Sequence, residues 1–424
     1  MSLTALPGFR DVFPEALGRR RLIFEVWRAV ARRYGFEEYD GPPLEATELY
    51  TRKSGDEIVE QLYRFTDRGG RDVALRPEMT PSLARMVAQR AASLRKPIRW
   101  YSIPQLFRYE RQQRGRLREH FQLNMDIIGE AGPLADAEVI AAAIDILRGL
   151  GFGPGEVRAR LSDRRVLSEA LVTEVGVGAE AVPGVLAGLD RFERSPEAAA
   201  EAVGKALAGD AVRAAAVMAF AERLDDPAHL LDRSAAAPLR ECVEALGAVG
   251  LGDFVDVDLR IVRGLAYYTG VVFELFDAKR SLRAICGGGR YDDLLEQMGG
   301  PDLPMVGFGM GDVVLGELIE DRDGPAAVPT VVQVFVVTVS EADRAAGLAL
   351  AHALRDRGIA VEFGLRRQAV GKQLELAAVR GATHAVIIGP DERAAGQAVV
   401  RELMTKRETR VALDALTGDY AFQG

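Results

Sequence analysis

The chain has 424 residues, 48% hydrophobic and 27% charged, with a formal charge of −8 at pH 7. That length is enough for two or three domains with ample core, and no apolar run approaches the roughly 20 residues of a membrane span. The acidic balance excludes a generic nucleic-acid coat protein while leaving room for a local basic surface.

The N-terminal segment has no signal-peptide pattern of basic residues followed by an apolar core. The two cysteines, Cys242 and Cys286, sit in unlike contexts, which fits a reducing cytoplasm. A turn at Pro7-Gly8 precedes a predicted helix over residues 17–34, with apolar Leu22, Ile23, Val26, Trp27 and Val30. Gly35 falls where that helix should stop, and Pro42-Pro43 forces an extended segment. Strand-like stretches follow at 72–76, 98–103 and 122–128, without regular βα alternation. This mixture predicts an α+β domain around a mainly antiparallel sheet.

Residues 165–250 are rich in Ala, Leu and Glu and are divided by Pro-Gly and Asp-Pro breaks. They read as a helical insertion, because strand-like sequence resumes at 254–261. Residues 320–329 are polar and then Pro/Gly-rich, the expected signature of a linker. Beyond it, strands over 331–340, 359–365 and 382–389 alternate with helices over 342–357 and 370–380. Such βαβαβ order predicts a small parallel sheet. The expected organisation is a catalytic domain over residues 1–325 that contains the insertion, and an α/β domain over 330–424.

Four stretches place polar residues beside strand-like sequence. The first, Leu75-Arg76-Pro77-Glu78-Met79-Thr80-Pro81, reads as a loop entering a helix over 82–89 with Thr80 as N-cap. The second runs from Phe107-Arg108-Tyr109-Glu110-Arg111 through a turn at Gly115-Arg116, and residues 108–118 carry five arginines against Glu110 alone. In its continuation Gln122, Asn124 and Asp126 alternate, so they project from one face of a strand. The third is Arg263-Gly264-Leu265-Ala266-Tyr267-Tyr268-Thr269-Gly270, and the fourth is Gly287-Gly288-Gly289-Arg290-Tyr291-Asp292. Guanidinium groups and phenols are costly to bury without partners, so the third and fourth read as a polar small-molecule site. On a strand the adjacent tyrosines would face opposite sides. The four histidines are scattered, HExxH is absent, and Gly307, Gly309 and Gly311 lack dinucleotide-binding spacing.

Taken together, these residues resemble the histidyl-tRNA synthetases, which are class II aminoacyl-tRNA synthetases. Phe107–Glu110 looks like the second class II signature, and Arg263–Thr269 and Gly288–Asp292 look like the two signatures of the histidine enzymes. The resemblance implies an antiparallel catalytic sheet, a homodimer, and a C-terminal anticodon-binding domain with Lys372, Lys406 and Arg407 as surface candidates. It implies L-histidine, ATP and tRNA(His) as substrates, with Mg2+ arriving on the ATP. Arg108 and Arg263 would be the catalytic residues, facing the α-phosphate, and Glu110 would read adenine. Glu78, Met79, Thr80, Arg108, Arg116, Gln122, Asp126, Arg263, Tyr267, Tyr268 and Tyr291 would surround the histidine.

Four positions depart from the family pattern. Met79 stands where glycine is usual, and Asp126 is shorter than the usual glutamate by about 1.5 Å. Ala266 replaces an aspartate. Val314 occupies the arginine position of the third class II motif. Val314 and Ala266 would also suit a runner-up, the non-catalytic regulatory subunit of ATP phosphoribosyltransferase.

Overall fold

The computed structural model describes residues 3–51, 59–111, 115–193, 195–224, 227–261, 267–324 and 332–422. It divides into two compact units, Met1–Ala326 and Ala327–Gly424.

The first unit is built on one large sheet. Its strands are β1 (Glu37–Glu38), β5 (Ile98–Ser102), β6 (Gln105–Phe107), β7 (Glu119–Ile128), β8 (Val157–Asp163), β9 (Val255–Val257), β10 (Val271–Asp277), β11 (Cys286–Arg290) and β12 (Met305–Gly311). A separate three-stranded sheet holds β2 (Leu44–Ala46), β3 (Tyr63–Thr66) and β4 (Asp72–Leu75). The large sheet runs β1-β5-β7-β12-β11-β10-β8-β9, with β6 paired to β7. Every pair is antiparallel except β1–β5 and β8–β9 at the two ends.

One face of this sheet is apolar. Leu123, Met125 and Ile127 of β7 stand beside Met310, Phe308 and Val306 of β12, all in the main core. The helix Pro133–Gly149 lies across that face and buries Val139, Ile140, Ala143, Ile144 and Leu147, the spacing of one helical stripe. The N-terminal helix Pro14–Arg33 packs on it, with Trp27 fully buried and its indole N–H 3.3 Å from Met310 Sδ. That helix ends at Gly35, where φ is +72° and the amide donates back to Arg32.

Arg290 of β11 points into this apolar layer and meets Asp136 of the overlying helix, Nη2 to Oδ2 at 2.6 Å, with both side chains 2% exposed. It also donates to the Glu130 and Gly132 carbonyls, so it ties the helix start to the sheet. Asp136→Ala would leave that guanidinium only Asp292, at 3.2 Å, and the two carbonyls, and should destabilise the unit by about 3 kcal/mol, read as a lower urea midpoint. An unchanged midpoint would mean that the pair contributes nothing.

Among the described residues, six short α-helices and one 3-10 turn between Arg164 and Ala248 form the insertion, and Val185, Leu186, Val203, Phe220 and Cys242 share its core with that of the sheet. Two expectations need correction here. The strand predicted over 254–261 is only Val255–Val257, because Asp258 accepts from the Arg260 amide at 3.1 Å and turns the chain. The predicted linker begins too early, since the helix Asp312–Asp323 runs through its first residues and 325–329 lie outside the described residues.

The second unit carries β13 (Val334–Thr338), β14 (Val361–Phe363), β15 (His384–Ile388), β16 (Gln397–Glu402) and β17 (Glu408–Ala412) in the order β14-β13-β15-β16-β17. Alternate residues of β13 enter different layers. Val334 and Val336 pack with helix Arg344–Asp356, while Phe335 and Val337 pack with helix Val370–Val379. The three predicted strands, β14-β13-β15, pair in parallel as expected, and two strands that were not predicted, β16 and β17, extend the sheet in antiparallel order. Lys406, at φ +60°, makes the β16–β17 turn without a glycine to announce it.

Candidate active site

The second face of the large sheet is polar and lined with glycine. Gln122, Asn124 and Asp126 of β7 pair across the ladder with Gly311, Gly309 and Gly307 of β12. Gly309 and Gly307 pair in turn with Gly287 and Gly289 of β11. Paired residues share a face, so five glycines continue the surface that the three polar side chains begin. A Cβ at Gly307 would lie 2.0 Å from Asp126 Oδ1, and one at Gly309 would lie 2.3 Å from Gln122 Nε2. The glycines leave room for these side chains to lie over the neighbouring strand.

At one end of this face is a cavity of about 1110 Å³. Arg108, Glu110, Arg116, His120 and Gln122 line it, joined by Glu274 from β10 and by Asp190, Phe192 and Glu193 from the insertion. Arg108 is held by its backbone amide on the Arg118 carbonyl (3.0 Å) and by Nε on the Pro77 carbonyl (2.9 Å). Buried Glu110 faces Arg116 at 3.0 Å and Arg108 at 3.9 Å. Burial, reinforced by the Arg108 guanidinium, holds His120 down to about 3, so it stays a neutral imidazole. His120 was passed over as one of four scattered histidines, although it continues the 122/124/126 alternation.

Further along β7 the chemistry changes. Asp126, 3% exposed, accepts a hydrogen bond from the Tyr291 hydroxyl. Burial raises this carboxyl to about 7, with the Tyr291 bond opposing, and burial and Asp126 together raise Tyr291 well above its usual range. Tyr267 and Tyr268 pack on Tyr291 with ring centroids 5.7 and 6.4 Å away, and lie 5.1 Å from each other. The two do not face opposite sides as predicted. They precede β10 in a turn, where strand alternation does not apply. Thr269 joins the two signatures, its amide donating to the Arg290 carbonyl at 2.8 Å and its hydroxyl accepting from the Asp292 amide at 3.1 Å.

Sequence reasoning missed two neighbours of Asp126. Trp100 is half-buried on the polar face directly opposite Asp126. Tyr39 stacks near it, at 5.4 Å between centroids, and its buried hydroxyl has no hydrogen-bond partner among the described residues. Only the position of Tyr39 just after β1 could have pointed to it.

The first polar stretch borders both regions. Glu78 and Thr80 are buried, and helix Thr80–Arg90 packs Leu83, Ala84 and Val87 against the tyrosine cluster. Thr80 is the first helical residue and not the cap. The cap position is Met79, and Pro81 removes one of the amides that a cap would satisfy. Met79 points inward, fully buried, its Sδ 3.9 Å from Arg76 Nη1. Arg263 and Ala266 lie outside the described residues.

An antiparallel sheet with one helix-covered face and one polar face, and an arginine-bearing strand–loop–strand at its edge, is the architecture of the class II aminoacyl-tRNA synthetases. The histidyl-tRNA synthetase family model matches residues 8–311, and the anticodon binding domain model matches 333–418. Histidine–tRNA ligase of Opitutus terrae is 45% identical over 417 residues, 96% of this chain and 95% of that one. The chloroplastic/mitochondrial histidine–tRNA ligase of Arabidopsis thaliana is 39% identical over 413 residues, 96% of this chain and 85% of its own. In fold, the crystal structure of histidyl-tRNA synthetase from Nostoc sp. PCC 7120 superposes with a TM-score of 0.79 at 23% identity, covering 98% of both chains. The chain belongs to the histidyl-tRNA synthetase family.

Proposed function

We propose that this protein is a working histidine–tRNA ligase. It activates L-histidine with ATP to histidyl-adenylate and pyrophosphate, then transfers the histidyl group to the 3′ end of tRNA(His). The observation that carries this reading is the continuous polar face, with an arginine-lined cavity at one end and a buried acid–tyrosine cluster at the other.

The substrate carboxylate is already ionised, so activation needs no protein base. It needs the two anions held in line and their charge neutralised. Arg108 would grip the α-phosphate and the histidine carboxylate, with Arg263 as the second cation of the pair. Glu110 would exchange its Arg116 contact for the adenine amino group. The imidazole would lie at Asp126, Tyr291 and Tyr39, whose oxygens can partner both ring nitrogens. Glu78, Thr80 and Gln122 would hold the amino-acid end, and Tyr267 and Tyr268 would close the pocket. A pocket of such groups rejects apolar amino acids, because its own polar atoms would be left unpaired.

Among the described residues no cluster of three or more His, Cys, Asp or Glu is placed to hold an ion. Mg2+ would arrive as part of the nucleotide substrate, carried on phosphate oxygens, and Glu274 on the cavity wall is one carboxylate that would add to its ligands.

Residues 327–424 would bind the anticodon, where unstacked bases can be read. Lys372 there is exposed and pairs with Glu375 at 2.7 Å, and Lys406 and Arg407 sit at the exposed β16–β17 turn. The working form would be a cytoplasmic homodimer. No described helix is long and apolar enough to cross a membrane.

The test is amino-acid-dependent ATP–pyrophosphate exchange by the intact chain, followed by charging of tRNA(His). Exchange should appear with histidine alone and vanish in Arg263→Ala. Histidine binding without any exchange would instead favour the regulatory-subunit reading.

A further inference from the structure

The helix Asp312–Asp323 presents Val314 where the third motif of the family has an arginine, and Val314 is 9% exposed and lines the cavity. A valine brings no charge to a triphosphate. We propose that Arg283, on the connection between β10 and β11, supplies the missing cation and holds the outer phosphates of ATP. This inference rests on the ligase reading.

Three segments meet at Gly115, which lies between Arg108 and β7. A Cβ built there would lie 3.2 Å from Val314 Cγ2 and 3.9 Å from Arg283 Cδ. The Gly115 amide donates to Glu317 of the same helix at 3.0 Å, which fixes Gly115 against it. The methyl of Val314 and the stem of Arg283 therefore share one neighbour, and both residues line the cavity that holds Arg108 and Glu110. An arginine at 314 would extend its chain into this same region. The two positions are alternative origins for one guanidinium.

The connection that carries Arg283 is pinned. Asp277, 4% exposed at the end of β10, accepts from the Ser281 amide (2.9 Å), the Ser281 hydroxyl (2.9 Å) and the Leu282 amide (3.0 Å). Leu282 packs on the main core, and the Ile285 amide donates to the Leu275 carbonyl at 2.8 Å. The backbone on both sides of Arg283 is thus fixed, while its side chain remains exposed toward the cavity. Preorganised charge of this kind is what stabilises a developing anion.

The test is a swap. Native protein, Arg283→Ala, Arg283→Lys, and Arg283→Ala combined with Val314→Arg are compared in histidine-dependent ATP–pyrophosphate exchange, with histidine affinity measured by calorimetry. Arg283→Ala should lower kcat/KM for ATP about 100-fold, with histidine affinity unchanged within about twofold. Arg283→Lys should recover part of the loss, since it restores charge without the planar fork. Adding Val314→Arg should restore at least about tenfold, an outcome that a purely structural role for Arg283 would not give. Should the alanine variant fail to fold, Arg283→Gln keeps a long polar side chain without charge and is judged by the same numbers. Exchange in the uncharged variant within about threefold of native overturns the inference alone. No exchange in the native protein overturns the ligase reading and this inference with it.

Discussion

Arg108→Ala should lower histidine-dependent ATP–pyrophosphate exchange by about 1,000-fold in kcat/KM, a larger loss than any other single substitution on the polar face. Two features of its environment set that scale. Its backbone amide and Nε are already committed to the Arg118 and Pro77 carbonyls, so the ends of the fork are aimed without reorganisation when substrates arrive. It is also the cation through which the two proposed anions meet, so its removal leaves Arg263 alone to offset their charge. Arg108→Lys should recover at most about one decade of this 1,000-fold loss, the most a point charge would return. Circular dichroism and histidine calorimetry on the same samples separate lost chemistry from lost fold. Exchange within about tenfold of native would remove Arg108 from the catalytic role.

How much of this was legible in the sequence depended on the kind of signal. Chemistry-bearing stretches were readable because arginines, phenols and glycines in those combinations have little use in a core, and Arg108, Gln122, Asp126, Tyr267, Tyr268 and Tyr291, from three of them, gather along one sheet face. Pairings were not. Gly307 and Gly309 looked like a defective nucleotide loop, yet the close approach of Asp126 and Gln122 requires them. Arg290 belongs to the same motif as Tyr291, but strand alternation sends it to the apolar side, where it meets Asp136. The β8 strand was not predicted, although its Arg158, Arg160 and Ser162 alternate with Val157, Ala159 and Leu161, because helix-forming sequence follows it at once with no turn residue between. The β16 and β17 strands turn at Lys406 without glycine or proline. The relation of Arg283 to Val314 exists only in three dimensions, through their shared contact with Gly115.

Asp126→Asn should separate stability from function. This carboxyl is raised to about 7 by burial, against an ordinary value of 3.8, with only the Tyr291 hydroxyl opposing. The groups around it, Tyr291, Tyr39 and Tyr267, are phenols and supply no positive charge. Between those two values the folded protein holds a proton that the unfolded chain has released, so stability falls as pH rises through this window. The amide is neutral at every pH and can still accept from Tyr291. The substitution should therefore stabilise the first unit by about 4 kcal/mol at pH 8 and by about 1.5 kcal/mol at pH 5, and hardly at all below pH 4. Urea midpoints at the three pH values measure this directly. Histidine affinity should move the other way, falling by about 100-fold or more at pH 8, because the imidazole N–H loses an ionised acceptor. A midpoint that does not depend on pH in the difference between native and variant would mean that Asp126 ionises freely. Unchanged histidine affinity would mean that the imidazole lies elsewhere. If both predicted shifts appear, the instability of a buried, nearly unpaired acid is what the protein maintains in order to select its amino acid.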